Sequence, residues 1–298
     1  MKHLLKLEGM PSAAMEEILA SAEVTKAKRG CGEAKPLDGQ SWAMIFTKSS
    51  TRTRVSFEVG IRELGGSVMF LNANDMQLGR GEPIKDTARV LGRMVHGAVI
   101  RTFAQADVEE FAEYSGIPTI NALTDDEHPC QILTDIFTFQ ERRGPIRGKV
   151  VTYVGDGACN VPVSWVHAAA ALDFELRIAA PAEFQPSAET LAKAGGHIVC
   201  TEDVRSAVEG ADMVYTDVWV SMGMEAEAEA RLAKLAGYQI NGGLMCPAKP
   251  DALVMHCLPA YRGKEIDAET FEAHADTIFT QAENRLHTQK AILAWLAG

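Results

Sequence analysis

The sequence predicts an α/β protein with two parallel-sheet domains. Short apolar runs alternate with stretches of helical periodicity, and strands separated by helices pair in parallel. Most of the apolar runs lack a strict alternation of apolar and polar residues, which is typical of strands covered on both faces. The polar segment 141–149, ERRGPIRGK, interrupts both patterns, and we place the domain boundary there.

The predicted strands form two groups on either side of that boundary. Those of the first half lie at 42–46, 67–72, 97–103 and 118–123. Those of the second half lie at 149–155, 175–180, 197–200, 212–218, 252–258 and 277–282. A helix is predicted at 84–95, where apolar residues recur at helical spacing. They are Ile84, Ala88, Leu91 and Val95. Ligands of such sheets bind beyond the carboxyl ends of the strands, and we expect the active site in the cleft between the domains.

The composition restricts the class of protein. The 298 residues and the apolar content of 47% suffice for two domains with sizeable cores. The net charge of −11, without a long basic run, argues against nucleic acid and anionic membrane surfaces as partners. We find no signal peptide and no apolar run of membrane length, and we therefore expect a cytoplasmic protein.

The cysteines argue against a disulfide framework and against a zinc site. None of the six forms a C-x-x-C pair, and no Cys/His cluster has the spacing of zinc ligands. Their positions are 31, 130, 159, 200, 246 and 257. Free thiols in a reducing compartment are expected, with neither a metal nor a cofactor.

Residues 50–54, STRTR, indicate a phosphate-binding turn between the first predicted strand and a helix. A helix N-terminus offers free backbone N–H groups and the positive end of the helix dipole. Arg52 adds a planar fork that matches phosphate oxygens. A hydroxyl cap followed by solvated arginines fits this stretch about equally well.

A second polar turn, HPCQ at 128–131, also lies between a predicted strand and a helix. His128 is placed to donate to a carbonyl oxygen that gains negative charge, and Gln131 to orient an amide. Taken alone, a loop histidine that caps local backbone is the simpler interpretation. Arg101 ends a predicted strand, and Arg285 is expected to start the C-terminal helix, where it alone fits a solvated surface charge.

The segment VGDGACN, residues 154–160, matches only the beginning of a dinucleotide-binding fingerprint. Asn160 stands where the pattern G-x-G-x-x-G requires its third glycine. The signal for NAD is therefore weak, and an asparagine at this point suits a small polar ligand better.

Two further turns follow strands of the second half. In DVWVSMG, residues 217–223, Asp217 is placed to bind an amine, and Ser-Met-Gly has the small-residue freedom of a mobile loop. In HCLPAYRG, residues 256–263, Cys257 would need a nearby base to act as a nucleophile. The alternative for Cys257 is a small buried apolar residue.

These motifs, in this order and at these separations, resemble the aspartate/ornithine carbamoyltransferase family over essentially the whole chain. S-T-R-T-R and H-P-x-Q are shared by carbamoyltransferases in general, whereas D-x-x-x-S-M-G and H-C-L-P are typical of the ornithine branch. The resemblance implies transfer of the carbamoyl group from carbamoyl phosphate to the side-chain amine of L-ornithine, giving L-citrulline and phosphate. It also implies a homotrimer or a multiple of trimers with sites at subunit interfaces.

The resemblance implies which domain binds which substrate. Residues 1–145, joined by the C-terminal helix 284–298, would bind carbamoyl phosphate, and residues 149–283 would bind ornithine. The residues implied to bind carbamoyl phosphate are Ser50, Thr51, Arg52, Thr53, Gln77, Arg101, His128, Gln131, Cys257, Leu258 and Arg285. Those implied to bind ornithine are Asn160, Asp217, Ser221 and Met222. The implied catalytic residues are Arg52, Arg101, His128, Asp217 and Cys257. Gln77 would act at the site of a neighbouring subunit, and no metal or cofactor is implied.

The chain departs from the family pattern at three positions. Cys159 stands where the family usually has the first of two adjacent asparagines, which changes the contacts expected for the α-groups of ornithine. Ser49 replaces a usual proline, and Tyr261 replaces a usual histidine. None of the three removes a charge that the reaction needs.

Three other functions are compatible with parts of the sequence. The nearest is carbamoyl transfer to a related amine, such as putrescine or an N-acylated ornithine, which the Ser-Met-Gly turn disfavours. A nicotinamide-dependent oxidoreductase rests on VGDG alone. A non-catalytic binding protein on the same fold is disfavoured because every charged position of the motifs is retained.

Overall fold

The computed structural model describes residues 1–72, 76, 81–220 and 225–298. The chain divides into two compact units, which are Met1–Phe137 with Glu283–Gly298, and Thr138–Ala282. Each unit contains one all-parallel sheet, of four strands in the first and five in the second, which confirms the predicted fold class. The domain limits proposed from the sequence, 1–145 with 284–298 and 149–283, remain predictions.

The first unit is built on four strands with the spatial order β2-β1-β3-β4. The strands are β1 (Ser41–Phe46), β2 (Ser67–Asn72), β3 (Gly97–Arg101) and β4 (Thr119–Leu123). The helices of its N-terminal part are α1 (Ser12–Ala27), α2 (Thr51–Glu63), α3 (Ile84–Leu91), α4 (Gln105–Ser115) and α5 (Pro129–Arg143), the last of which continues into the second unit. Strands β1 and β3 are buried along almost their whole length, as their continuous apolar runs predict.

The second unit has five strands in the order β7-β6-β5-β8-β9. The strands are β5 (Val150–Val154), β6 (Glu175–Ala179), β7 (Ile198–Thr201), β8 (Met213–Thr216) and β9 (Leu253–His256). Its helices are α6 (Asn160–Leu172), α7 (Ala188–Ala194), α8 (Val204–Val208), α9 (Ala228–Leu235), α10 (Gly242–Met245) and α11 (Ala268–Ala273). The long helix α12 (Ala275–Ala297) begins here and ends in the first unit.

Strand register places the candidate residues at the carboxyl ends of the sheets. In the first unit Phe46, the last residue of β1, pairs with Arg101, the last residue of β3. In the second unit Thr216 pairs with His256. The residues that follow these pairs therefore lie side by side, since parallel strands end at the same edge of a sheet.

One predicted strand, 277–282, is wrong, because these residues belong to α12. Ile278, Gln281 and Arg285 are buried whereas Phe279 is 55% exposed, and a burial spacing of three and four residues is that of a helix. The run 277–282 is rich in β-branched and aromatic residues, which is typical of a strand. Most of the helix that contains it lies further along the chain. Arg285 consequently does not start the C-terminal helix but lies well inside it.

The predicted helix 84–95 ends earlier, at Leu91. Gly92 follows at a close approach of two segments, where a Cβ atom would lie only 1.8 Å from the carbonyl oxygen of Ser115. Val95, the last residue of the predicted stripe, is nevertheless buried in the core of the first unit. Among the described residues, no helix has the length and apolar character needed to cross a bilayer.

Candidate active site

The first helix N-terminus of the site is formed as the polar run 50–54 predicts. Ser50 has extended backbone angles and caps α2, and its hydroxyl oxygen accepts a hydrogen bond from the Thr53 N–H at 3.3 Å. Thr51, the first residue of the helix, is exposed, and Arg52, the second, is half-buried. The helix opens without an acidic residue in its first turn, so its dipole is available to an external anion.

The C-terminal helix contributes a guanidinium group to the same helix end. Nη2 of Arg285 donates to Oγ1 of Thr53 at 2.5 Å, and both side chains are buried. A buried cation next to a helix N-terminus places two positive electrostatic sources together. That arrangement favours the binding of an anion at this helix end.

A neutral histidine lies close to this cation. His128 is only 4% exposed, and burial together with the positive charges of Arg285 and Arg101 lowers its pKa well below the ordinary 6.5. Arg101 itself is 7% exposed at the end of β3. Three of the residues predicted to bind the carbamoyl end or the phosphate therefore share one electrostatic environment, and the imidazole is neutral in it.

The first turn of α5 presents an amide side chain. Gln131 is 1% exposed, and its Nε2 donates to Oδ1 of Asp135 at 2.8 Å. Its backbone N–H donates to the carbonyl oxygen of His128 at 3.1 Å, which joins the two predicted residues in one turn. Between them, burial raises the pKa of Cys130 to about 12, and this thiol is therefore protonated and unreactive near neutral pH.

Lys48 is a buried cation of the first unit that the sequence analysis missed. Its ammonium group pairs with Asp125 and lies 4.2 Å from the centre of the Phe103 ring. Its side chain is 5% exposed, whereas that of Asp125 is 60% exposed. Lys48 thus connects the turns that follow β1, β3 and β4. The sequence feature that could have identified Lys48 is its position two residues before Ser50, in the turn that leads to the predicted phosphate-binding helix.

In the second unit, Asp217 and Cys257 are in direct contact. The Cys257 thiol donates to Oδ1 of Asp217 at 2.9 Å, and the Val218 N–H donates to the same oxygen at 2.7 Å. Burial raises the pKa of Asp217 above its ordinary value, although the nearby His256 and the thiol hydrogen bond act in the opposite direction. The contact follows from the adjacency of β8 and β9.

A buried pair that the sequence analysis did not identify supports the Cys257 turn. Nδ1 of His256 accepts from the Leu258 N–H at 2.9 Å, so the ring proton lies on Nε2, which faces Oε1 of Glu265 at 3.1 Å. The Tyr261 N–H donates to the same Glu265 oxygen at 2.5 Å. Leu258 has a φ of +59°, a backbone conformation that costs on the order of 1 kcal/mol or more for such a residue, and these contacts stabilise it.

Asn160 opens α6, directly after the glycine-containing turn that follows β5. The neighbouring Cys159 donates its thiol proton to the carbonyl oxygen of Asp156 at 3.2 Å, and burial raises the pKa of this thiol well above its usual range. The Asp156 carboxylate forms a buried ion pair with Arg231, whose Nε donates to the carbonyl oxygen of Trp219 at 2.9 Å. Arg231 therefore links the turn before Asn160 to the turn after Asp217.

Three predicted site residues lie outside the described residues. They are Gln77, Ser221 and Met222. Elsewhere, donor atoms of Asp217, His256 and Cys257 lie within 4.8 Å of one another, a spacing that a metal ion could bridge. Both ring nitrogens of His256 and the Cys257 thiol already take part in the hydrogen bonds described above, so a metal ion would have to displace them.

Comparison with known proteins identifies two matching family models. Residues 2–141 match the carbamoyl-P binding domain of aspartate/ornithine carbamoyltransferase, and residues 147–296 match its Asp/Orn binding domain. The ornithine carbamoyltransferase of Akkermansia muciniphila is 53% identical over 304 residues, covering 100% of this chain and 98% of the relative. That of Methylococcus capsulatus is 51% identical over 295 residues, covering 99% and 98%.

Solved structures give the same result. The ornithine carbamoyltransferase of Pyrococcus furiosus superposes with a TM-score of 0.92 at 43% identity, covering 100% of this chain and 97% of that one. The anabolic ornithine carbamoyltransferase of Campylobacter jejuni superposes with a TM-score of 0.93 at 42% identity, covering 99% of each chain.

Proposed function

Because the chain belongs to the aspartate/ornithine carbamoyltransferase family, we propose that it transfers the carbamoyl group of carbamoyl phosphate to the side-chain amine of L-ornithine. The products are L-citrulline and phosphate, within arginine metabolism. Relatives that are named for this activity, and that share 53% and 51% sequence identity with this chain over nearly its full length, support the proposal. The observation that carries it is the grouping of Arg101, Arg285 and neutral His128 in the first unit.

Carbamoyl phosphate would bind at the N-terminus of α2. Its phosphoryl group is a dianion, which the backbone N–H groups after Ser50, the Thr51 and Thr53 hydroxyls and the Arg52 fork can bind together. Arg285 lies at this helix end through its contact with Thr53. These cations would also stabilise the departing phosphate, since negative charge accumulates on it as the bond to carbon breaks.

The carbamoyl carbonyl would be polarised by Arg101 and His128, with Thr53 beside them. Attack by an amine converts this carbonyl oxygen into an oxyanion, and one well-placed donor to such an oxygen is typically worth ~3 kcal/mol. Burial, together with the charges of Arg285 and Arg101, lowers the pKa of His128, so the imidazole is neutral near pH 7 and can donate a hydrogen bond from its N–H group. Gln131 would bind the amide group of the donor.

Ornithine would bind in the second unit through Asn160 and Asp217, together with Ser221 and Met222. A free alkylamine has a pKa of about 10.4, so fewer than about one molecule in a thousand is neutral at pH 7. The site must therefore assist the loss of a proton before attack. Asp217 is suited to hold the ammonium group and accept its proton, because burial raises the pKa of this carboxyl.

Cys257 and Leu258 would lie where the amine meets the carbamoyl carbon. The Cys257 thiol orients the Asp217 carboxylate by donating to it. The Leu258 N–H is engaged with His256, which leaves the Leu258 carbonyl oxygen as its polar group for a substrate. The amine nitrogen forms its bond to the carbonyl carbon to give the tetrahedral oxyanion. The bond from that carbon to the phosphate oxygen then breaks as the carbonyl group re-forms.

Assembly and location are further parts of the proposal. We place the active form as a homotrimer or a multiple of trimers, in which Gln77 reaches the phosphate site of a neighbouring subunit. A cytoplasmic location is supported by the six cysteines, all of which are free thiols, as a reducing compartment maintains them.

A side-by-side assay of amines tests the function. The purified chain is incubated with carbamoyl phosphate and either L-ornithine, putrescine or N-acetylornithine, and the carbamoylated product is measured. We expect product with L-ornithine at a kcat/KM at least a hundredfold above that with either of the others. Equal or higher activity with putrescine or N-acetylornithine would reassign the acceptor, an outcome that the names of the relatives do not favour.

A further inference from the structure

The side chain of Gln131 is held by Asp135, a residue without a part in the proposed reaction. Gln131 Nε2 donates to Asp135 Oδ1 at 2.8 Å, across one turn of α5. Both residues are almost completely buried, at 1% and 0% exposure. A buried hydrogen bond to a carboxylate is short and directional, so it fixes the rotation of the amide plane.

That hydrogen bond decides which end of the amide faces away from Asp135. An amide has two donors on its nitrogen and an acceptor on its oxygen, and a carboxylate oxygen accepts. The nitrogen must therefore face Asp135, and Oε1 of Gln131 points elsewhere. Oε1 is shielded from solvent and accepts no hydrogen bond from any residue in the described part of the chain. A buried carbonyl oxygen of this kind favours a ligand that brings an N–H group.

The position of Gln131 connects this oxygen to the donor site. Its backbone N–H is hydrogen-bonded to the carbonyl oxygen of His128, so the two side chains leave the same turn. Arg101 and Arg285 are close enough to His128 to lower its pKa. The Gln131 acceptor is thus held in fixed orientation on the turn that carries His128.

We propose that Asp135 is a positioning residue that makes the site select a carbamoyl phosphate over an acyl phosphate. Carbamoyl phosphate and acetyl phosphate share the phosphoryl group and the carbonyl, and differ in carrying NH2 or CH3 on the same carbon. With Gln131 locked by Asp135, Oε1 accepts from the NH2 group and finds no donor on the methyl group. Without Asp135, Gln131 can turn its own NH2 end toward the NH2 group of carbamoyl phosphate, and two donors then face each other without a hydrogen bond. This inference rests on the proposed function.

The test compares the two phosphates in wild type and Asp135→Asn. The KM of carbamoyl phosphate and the Ki of acetyl phosphate are measured in the same citrulline assay. Asparagine keeps the size of Asp135 but can turn either end toward Gln131, so the lock is lost. We expect the ratio of Ki to KM to fall by about tenfold in Asp135→Asn, mainly through a higher KM, which corresponds to the loss of one hydrogen bond. An unchanged ratio overturns the inference.

A double-variant cycle shows whether Asp135 acts through Gln131. Gln131→Leu removes the acceptor and leaves an apolar side chain that is one atom shorter, and it should lower the ratio as much as Asp135→Asn does. Adding Asp135→Asn to Gln131→Leu should then change the ratio by less than about twofold, since the interaction is already absent. A further tenfold fall in the double variant would mean that Asp135 acts by another route, and it would overturn the inference.

Thr134→Val is the matched control for a structural effect. Thr134 lies on the same turn of α5, is fully buried, and donates its hydroxyl to the carbonyl oxygen of Cys130 at 2.7 Å. Its variant should lower the melting temperature and leave the ratio of Ki to KM unchanged. Should the control lower that ratio as well, any change in the packing of this turn suffices, and Asp135 has no particular role.

Two provisions keep the result decisive. If Asp135→Asn does not fold, Asp135→Ser replaces it, because its hydroxyl has no fixed donor or acceptor end. If neither variant of Asp135 folds, the selectivity of Gln131→Leu is the deciding measurement. A native selectivity in Gln131→Leu would overturn the inference. If the wild type makes no citrulline, the proposed function fails first, whereas activity with unaltered selectivity in the variants rejects only the role of Asp135.

Discussion

Nη2 of Arg285 donates to Oγ1 of Thr53 at 2.5 Å, although 232 residues separate the two along the chain. The hydrogen bond brings a cation from the C-terminal helix to the N-terminus of α2, where the phosphoryl group is proposed to bind. Arg285 also lowers the pKa of His128. One guanidinium group therefore acts on both the phosphate side and the carbamoyl side of the proposed donor site.

Replacing Arg285 should weaken binding of the donor. Arg285→Gln retains much of the side-chain length but removes the charge, and a charge-assisted hydrogen bond is worth about 1.5–3 kcal/mol, or roughly 10- to 100-fold in affinity. Titration calorimetry with carbamoyl phosphate or inorganic phosphate measures the loss. The control is Arg29→Gln, which removes an exposed arginine paired with Glu63 in the same unit. Equal affinity in the wild type and Arg285→Gln would contradict the assignment.

His128 should be neutral at pH 6. Burial and the charges of Arg285 and Arg101 lower its pKa well below 6.5, so protonation occurs only at lower pH. Nitrogen-15 NMR of labelled histidine detects the neutral ring directly, with His128→Gln used to assign the signal. In the same variant kcat should fall by about 100-fold, as for the loss of an oxyanion donor, while affinity for carbamoyl phosphate changes less. A doubly protonated ring at pH 6, or a loss confined to affinity, would reject this role.

Cys257→Ser should lower kcat more than it lowers the affinity for carbamoyl phosphate. Serine retains a donor to Asp217, but its Cβ–O bond is shorter than the Cβ–S bond of cysteine. The Asp217 carboxylate, which lies 2.9 Å from the sulfur and is proposed to receive the ammonium group, is therefore displaced. We expect a fall in kcat of about tenfold or more, since small misplacements at reacting atoms are costly. Cys246→Ser, at an exposed cysteine, is the control. An unaltered kcat would mean that the Cys257 thiol contributes packing only.

Glu127 should make stability depend on pH. Burial raises its pKa to about 7 from 4.5, although its oxygens accept from the Leu7 N–H at 2.6 Å and the Glu8 N–H at 3.3 Å, and nearby Glu8 raises and Lys6 lowers the same pKa. A carboxyl whose folded pKa lies above its unfolded pKa contributes stability that is present below about pH 4.5 and is lost as the pH rises to about 7.

Glu127→Gln tests this because glutamine does not titrate. Its one carbonyl oxygen can accept from only one of the two N–H groups, so the variant carries a constant loss of stability and only the change with pH is compared. Urea denaturation at pH 5, 6 and 7 should show the wild type losing stability relative to Glu127→Gln as the pH rises, by on the order of 2–3 kcal/mol over the full window. The His128 neighbour is unchanged in both proteins. A difference that is constant with pH, or one that grows toward low pH, would show that the carboxyl of Glu127 is not shifted upward.

The sequence predicted the positions of those candidate site residues that stand at strand ends. Arg101 and His128 come together because parallel strands β3 and β4 end at one edge, and Asp217 meets Cys257 because β8 and β9 are neighbours. Such contacts follow from strand order, which the alternation of apolar runs and helices already predicts in outline.

Other features depend on side-chain contacts that no local pattern announces. Glu265 reaches His256 from a separate loop, and Arg231 reaches Asp156 from α9. Asp135 is one acidic residue among many until its contact with Gln131 is seen. The strand predicted at 277–282 is wrong because the segment is short and rich in β-branched and aromatic residues, whereas the long helix that contains it is stabilised by contacts further along the chain.

The most direct test of the account is a crystal structure with phosphonoacetamide, a stable analogue in which CH2 replaces the bridging oxygen of carbamoyl phosphate. We predict the phosphonate at the N-terminus of α2, within hydrogen-bonding distance of Arg52 and Arg285, and the amide oxygen beside Arg101 and His128. Density for the phosphonate at any other place, with these four side chains not in contact with the ligand, would contradict the central claim.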